Sequence, residues 1–506
     1  MASSQWNHLL DSNDPPLDAD IPVIRHLISE KQTRLNALNS EIRQLLSERK
    51  KIAHCIQRHT AIVAPIRRLP TELLSEIFSF ASRLFTRRSI LVNEAEEECA
   101  PWILGQVCRV WRELALHSPF LWRRIALRIR PGYLTERALS MFEAQVIRSG
   151  TATLDIDLRW QDNPATGMAL LDLLISHSQR WAAFRMKIES GGAGILPRLR
   201  YIHGRIPQLK KFGFSDLTRK YGEDQEEHFL SQAPCLREIT LTPRKFVPSE
   251  PSGSTPRFHV PWNQITHFSG TFSAKVHLAI LAVARNLVDC NLVVRNPLPP
   301  PHSTFVVSPR LRRLCISGDS CVLDHITAPS LEELTLHGDD LLIQGLPPLI
   351  DRSSCRLTKL VFDGYPLDLS TDLFRSLPCL KYLMFMSSQL PDGFWDAMTL
   401  SDGFWDAMTL SDGFWDATTF EDTQSDLCPD LEAITCHWSR IHEEHINPLH
   451  AMMRSRNPSS GHGRTLSLRF FYGYHFPEGT EILEFAKDNP QFDVSFVPKK
   501  AVSMMY

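Results

Sequence analysis

The chain has 506 residues, with 55 Lys or Arg against 57 Asp or Glu and a formal net charge of −2. So even a balance gives no general drive toward nucleic acid or membranes, and the length suggests at least two domains with room for a large core. The 11 cysteines are odd in number, scattered and without a C-x-x-C pair, which argues for reduced core thiols rather than a disulfide framework or zinc ribbon.

Residues 1–20, rich in Ser, Asn, Asp and Pro, read as a disordered tail. No signal-peptide succession is present, and the longest apolar stretch, Val276 to Ala284, carries His277 and is too short to span a bilayer. A cytoplasmic or nuclear location is expected, with no membrane partner. Over residues 21–60 a 4-3 alternation picks out Ile28, Lys31, Leu35, Leu38, Ile42, Leu45, Arg49, Ile52 and Ile56, with charges of both signs flanking them. This is the pattern of a solvated helix with a coiled-coil seam. It fits a homodimer through 21–60 and equally a helix packed back on its own chain, since Lys31 and Arg49 both weaken the seam.

Residues 61–130 form the next unit. Ile66 to Ala81 reads IRRLPTELLSEIFSFA, and after an acidic insertion with Glu94, Glu96, Glu97 and Glu98 the chain continues PWILGQVCRVWRELALHSPFLWRRIAL. Pro70 suits a first helical turn, and Glu72 and Glu76 favour the positive end of the helix dipole. Leu73, Leu74, Ile77, Phe78 and Ala81 recur at helical spacing. Ile103, Val107, Val110, Trp111 and Leu114 predict a second helix, and Ser118-Pro119 an N-cap and first turn of a third. The insertion between the first two helices reads as a surface loop. A unit of this size cannot bury all of that apolar surface internally.

The Leu-Pro opening, the V-x-x-x-W and the closing S-P-x-L-W together resemble an F-box. That resemblance implies a partner, the small Skp-type adaptor that joins F-box proteins to a cullin in ubiquitin ligases. It also implies a set of adaptor-facing or motif-core positions: Leu69, Pro70, Leu73, Leu74, Ile77, Phe78, Val107, Trp111 and Trp122. The alternative is that these residues are only the core of a small helical module.

Residues 131–506 carry a recurring Leu-x-x-Φ-x-Φ pattern, with Φ apolar, often led by proline: PQLKKFGF at Pro207, PCLREITL at Pro234, PRLRRLCI at Pro309, PSLEELTL at Pro329, CRLTKLVF at Cys355, PCLKYLMF at Pro378 and PDLEAITC at Pro429. With weaker copies at Ile265 and Leu287 the spacing is 20 to 29 residues from Leu209 to Leu380, a solenoid period. The units resemble leucine-rich repeats, which implies a parallel sheet, here irregular because the family's buried Asn is replaced by Asp319, Asp339 or unrelated residues. TLDIDLRW at Thr153 and AFRMKI at Ala183 predict the opening strands, and RTLSLRFF at Arg464 the last. The x positions between buried Φ residues point outward, so Lys211, Glu238, Arg313, Glu333, His337, Lys359 and Tyr382 are the expected target-binding residues. Their mixed charge suits a protein surface and not a nucleic acid.

Residues 391–420 hold a tandem decapeptide, PDGFWDAMTL, SDGFWDAMTL and SDGFWDATTF. Two copies read as a tolerated insertion into a surface connection, with an exposed aromatic binding surface as the other reading. Catalytic signatures are poor. His442-Glu443-Glu444-His445 lacks the i, i+4 histidine spacing of a helical zinc site, and Gly191-Gly192-Ala193-Gly194 lacks the Lys-Ser/Thr of a phosphate loop. The expected architecture is an N-terminal helix, a three-helix F-box and an α/β solenoid with a parallel sheet. No catalytic residue, cofactor or metal is expected. The expected role is that of a non-catalytic receptor presenting a target to a ubiquitin ligase, the competing one that of a repeat scaffold outside any ligase.

Overall fold

Most of the Leu-x-x-Φ-x-Φ copies enter their strands through one tight turn in the computed structural model of the chain. The structure describes residues 14–85, 100–129, 136–161, 165–192, 194–216, 227–242, 259–295, 305–338, 345–363, 373–374, 376–386, 428, 430–438, 467–472 and 493–498. In that turn the Leu N–H donates to the carbonyl three residues earlier: Leu209 to Ile206, Leu236 to Ala233, Leu311 to Ser308, Leu331 to Ala328 and Leu380 to Leu377, at 3.1–3.3 Å. Proline stands second in each of these turns. Its fixed φ suits that position, and the N–H it lacks is not one the turn needs.

The chain divides into two compact units, Met1–Phe78 and Ser79–Tyr506, with the boundary inside a helix. In the first, α1 (Asp20–Val63) is an unbroken helix of 44 residues, about 66 Å long at 1.5 Å per residue. It stops where Ala64 turns extended (ψ 130°) ahead of Pro65, because the residue before proline is pushed out of the helical region. The apolar seam residues Ile28, Leu35, Leu38, Ile42, Leu45, Ile52 and Ile56 are all exposed. A 3₁₀ turn at Pro65–Arg68 leads to α2 (Thr71–Phe85).

The second unit continues with α3 (Ala100–Val107), α4 (Arg109–Leu116) and α5 (Pro119–Trp122). Among the described residues a parallel sheet of 14 strands follows, in the order β1-β2-β3-β4-β5-β6-β7-β9-β11-β12-β13-β14-β15-β16. Its strands are β1 (Arg124–Ile129), β2 (Leu154–Trp160), β3 (Trp181–Ile188), β4 (Lys211–Asp216), β5 (Glu238–Leu241), β6 (His267–Phe272), β7 (Asp289–Val294), β9 (Arg313–Gly318), β11 (Glu333–His337), β12 (Lys359–Asp363), β13 (Tyr382–Phe385), β14 (Ala433–Trp438), β15 (Ser467–Tyr472) and β16 (Asp493–Pro498). The pair β8 (Val306–Val307) and β10 (Ile326–Thr327) forms a second, two-stranded sheet. Helices α6 (Glu136–Arg148), α7 (Ala165–Ser176), α8 (Ile195–Leu199), α9 (Ala274–Val283) and α10 (Leu346–Ser353) fill connections between consecutive strands.

The core lies under one face of this sheet. Alternate strand residues are buried, such as Phe212 and Phe214, Ile239 and Leu241, Leu334 and Leu336, and Leu360 and Phe362. In-register partners stack: Phe184 on Phe212 at 5.8 Å and Phe362 on Phe385 at 5.6 Å between ring centroids. Asp319 accepts from the Cys321 N–H at 2.8 Å and so caps a 3₁₀ helix at Ser320–His325.

The expected order of helix, F-box helices and parallel sheet is the order found, with three corrections. The second F-box helix is two eight-residue helices, because Cys108 is extended (φ −159°, ψ 174°) and breaks the run. The sheet begins at β1, within residues assigned to the F-box unit, since Ile125, Leu127 and Ile129 alternate into the core like any later strand. RTLSLRFF supplies β15, and β16 pairs beyond it. Of the acidic insertion, Ser82 to Phe85 continue α2 and Ala100 opens α3, so both ends of the expected loop are helical; residues 86–99, the decapeptides, Asp339 and His442 to His445 lie outside the described residues.

Candidate functional site

Helix α2 starts the F-box segment. Pro70 accepts from the Leu74 N–H at 3.0 Å, so it sits at the cap just ahead of Thr71, with Glu72 in the first turn. Leu74 and Phe78 are buried, Phe78 at 0% exposure, while Leu73 (52%) and Ile77 (43%) face solvent. Phe80 is also exposed, and positions 73, 77 and 80 share one face of the helix at i, i+4 and i+7. Leu69 is half-buried and Pro70 exposed.

In the second unit α3 and α4 meet at a corner closed by Arg112, whose Nε–H donates to the Gly105 carbonyl at 2.8 Å. Val107 and Val110 are exposed there and Trp111 is half-buried. Ser118 stands at the N-cap of α5 but does not cap it with its side chain; the hydroxyl donates back to the Leu114 carbonyl at 2.6 Å. Pro119 opens the helix and Trp122 closes it at 1% exposure, its indole N–H donating to the Ala115 carbonyl at 2.7 Å.

Of the expected adaptor positions, Leu74, Phe78 and Trp122 are therefore interior residues and not surface contacts. Leu73, Ile77 and Val107 present exposed apolar side chains. Phe80 and Val110 do so too, and the list drawn from sequence omitted both, although helical spacing from Leu73 would have reached Phe80.

The expected target-binding residues fall on a single register line, His337 excepted. Lys211 faces Glu238, Glu238 faces His267, His267 faces Asp289, Asp289 faces Arg313, Arg313 faces Glu333, Glu333 faces Lys359 and Lys359 faces Tyr382. The charges pair along this line: Lys211 with Glu238 at 2.7 Å, Arg313 with Asp289 at 2.9 Å and Lys359 with Glu333 at 3.5 Å. Tyr382 donates to Glu432 at 3.0 Å, a bond that raises its phenol above the ordinary range. His337 lies on the parallel line two rungs along, against Asp363 at 2.8 Å. These residues share a face, but their ionic capacity is largely spent on one another. The next line outward, Gly213, Thr240, Ser269, Asn291, Cys315 and Thr335, is small and uncharged.

Burial lifts the Cys315 thiol to about 11 and, with Asp319 beside it, the Cys321 thiol to about 12. Cys290 and Cys355 are raised as well, chiefly by burial. All four stay protonated near neutral pH, which unsuits them as nucleophiles.

With this geometry in place the comparison with known families is specific. Residues 66–128 match the family model described as F-box-like. The chain thus carries an F-box-like domain, a class of module that binds Skp-type adaptors of ubiquitin ligases and is typically non-catalytic. No curated protein matches the chain.

Proposed function

We propose that the chain is the substrate-receptor subunit of a Skp, cullin and F-box type ubiquitin ligase. The F-box-like domain docks the adaptor, and the repeat-like sheet presents a target protein for ubiquitin transfer by other subunits. The observation that carries this reading is the solvent-facing pair Leu73 and Ile77 inside a segment that matches the F-box-like family. An exposed apolar stripe on a short helix has a large burial gain waiting for a partner. The chain contributes effective concentration, holding a target lysine near the conjugating enzyme. The cytoplasm or nucleus is the compartment this role implies, and α1 adds the option of a two-armed assembly through self-association.

The test is retention of a purified Skp-type adaptor by the immobilised full chain, followed by assembly with a cullin. Failure to retain the adaptor at micromolar concentration sinks the ligase reading. It would favour the second one, a non-ligase scaffold whose F-box-like helices cap the sheet. That alternative draws on one observation: Trp122 is buried and α5 runs directly into β1.

A further inference from the structure

The even overall charge conceals a local imbalance. Residues 20–48 carry four cations, Arg25, Lys31, Arg34 and Arg43, against four acids, Asp20, Glu30, Glu41 and Glu48. From Arg49 to Thr71 the chain carries six cations, Arg49, Lys50, Lys51, Arg58, Arg67 and Arg68, and no Asp or Glu. All six are exposed. None of them has a carboxylate within ion-pair distance among the described residues, where the ion pair found on α1 is Lys31 with Glu30 at 3.9 Å, in the balanced half.

The helix itself does not call for this run. Its dipole favours cations only in the last turn, and the last turn of α1 holds none. Successive helical residues point about 100° apart, so Arg49, Lys50 and Lys51 face three directions and Arg58 lies two turns beyond Lys51. Cations all round a helix do not suit a flat anionic membrane, which would meet one face alone. They do set up a positive field, since four charges fall within about 14 Å of helix.

The field ends at an apolar stripe. Arg67 and Arg68 close the 3₁₀ turn that leads into α2, and the exposed Leu73 and Ile77 follow at once. All of this lies in the first compact unit. Up to Phe78 the acids that oppose the six cations are Glu72 and Glu76, so the excess persists beside the stripe.

We propose that the run from Arg49 to Arg68 is an electrostatic steering surface for the protein that docks on Leu73 and Ile77, and that the docking face of that protein surrounds its apolar patch with acidic groups. This assignment rests on the receptor role proposed above, in which that protein is the adaptor. Complementary fields raise association rates by about 10- to 1,000-fold and act far less on dissociation. A nucleic-acid strand would use the cations but gain nothing from the adjoining apolar pair.

The experiment follows binding of a purified Skp-type adaptor to the full chain by biolayer interferometry, at ionic strengths from about 0.01 M to about 0.15 M, over which the screening length falls from about 30 Å to about 8 Å. Expected is an association rate that falls with salt. At the lowest salt it should drop about tenfold in the Lys50→Gln, Lys51→Gln, Arg58→Gln variant, with the dissociation rate unchanged and the two chains converging as salt rises. The Arg25→Gln, Arg34→Gln variant, neutralised in the balanced half, should associate as fast as the wild type. Glutamine nearly matches lysine and arginine in helix propensity, and equal helical circular dichroism checks that α1 is intact. A salt-independent association rate, or a triple variant that associates as fast as the wild type, overturns the assignment. So does a loss confined to the dissociation rate, which would make these side chains direct contacts. A triple variant that keeps wild-type adaptor kinetics but loses an oligouridylate held by the wild type hands the run to nucleic acid, and the assignment falls too. A wild type that never retains the adaptor refutes the receptor role and this surface together, whereas one that retains it at a salt-independent rate refutes the surface alone.

Discussion

The Arg148 guanidinium carbon lies 4.7 Å from the centroid of the Trp122 ring. It is equally close to Trp102, whose ring meets Trp122 edge-on at 5.0 Å. From the same helix, α6, Gln145 donates to the Arg124 carbonyl at 2.7 Å and the Trp122 carbonyl at 3.3 Å. The end of the F-box-like segment and the first strand of the sheet are thus held by one helix. A cation between two aromatic faces is worth about 0.5–2 kcal/mol, and the buried indole considerably more.

Trp122→Ala should therefore destabilise the chain by about 3–5 kcal/mol, and Arg148→Ala by about 0.5–2 kcal/mol. Urea denaturation followed by tryptophan fluorescence and circular dichroism measures both. A loss below about 1 kcal/mol for Trp122→Ala would mean the indole is not the anchor its burial implies.

Exposed and buried positions on α2 should respond in opposite ways. Leu73→Asp with Ile77→Asp should abolish adaptor retention while the melting curve changes little, because both carboxylates stay hydrated in the free chain and would have to be desolvated on docking. Phe78→Asp should lower stability instead, since Phe78 is fully buried. A folded double variant that still holds the adaptor removes the stripe from the interface.

Much of this architecture was legible because two periods coincide. The strands alternate buried and outward residues, and a Pro-led turn precedes many of them, so a Leu two residues ahead of β4, β5, β7, β9 and β11 to β14 marks the repeat. The break at Cys108 was not legible, because no Gly or Pro stands near it: between Ala100 and Leu116 only Pro101, in the first turn of α3, and Gly105, within α3, occur. The pairing of Lys211 with Glu238 depends on parallel register between segments 27 residues apart. The line through Arg313, Glu333 and Lys359 spans separations of 20 and 26 residues. Such rows exist only once strands are aligned, so a list of outward positions named the face without showing how its charges are arranged.

His277 makes the stability pH-dependent. It is 0% exposed on α9, with Nε2 3.2 Å from the Val293 carbonyl and 3.3 Å from the Phe272 N–H. Burial pulls its pKa from 6.5 to about 4, against a smaller opposing effect of the Val293 bond. Above pH 6.5 the imidazole is neutral in both folded and unfolded chains and contributes nothing. As pH falls below 6.5 the unfolded chain takes up a proton that the folded chain refuses, so stability drops until the folded pKa is reached. Between pH 7 and pH 5 the loss should be about 2 kcal/mol. Urea midpoints of the wild type and His277→Gln at the two pH values test this. Equal losses in both would assign the slope to other groups.

The last prediction concerns α1. Its seam residues Ile28, Leu35, Leu38, Ile42, Leu45, Ile52 and Ile56 are exposed along one helix, and each apolar side chain buried against a second copy would contribute about 1.5–3 kcal/mol. Lys31 and Arg49 interrupt that seam, and a charged residue at such a position specifies register at a cost in stability. The full chain should therefore self-associate with moderate, concentration-dependent affinity. Lys31→Leu with Arg49→Leu should tighten it, and Leu38→Glu with Leu45→Glu should eliminate it. Sedimentation equilibrium over a wide concentration range distinguishes these outcomes. If the wild type stays monomeric and the leucine variant does as well, the seam does not mediate self-association, and the helix then serves the chain as a single arm.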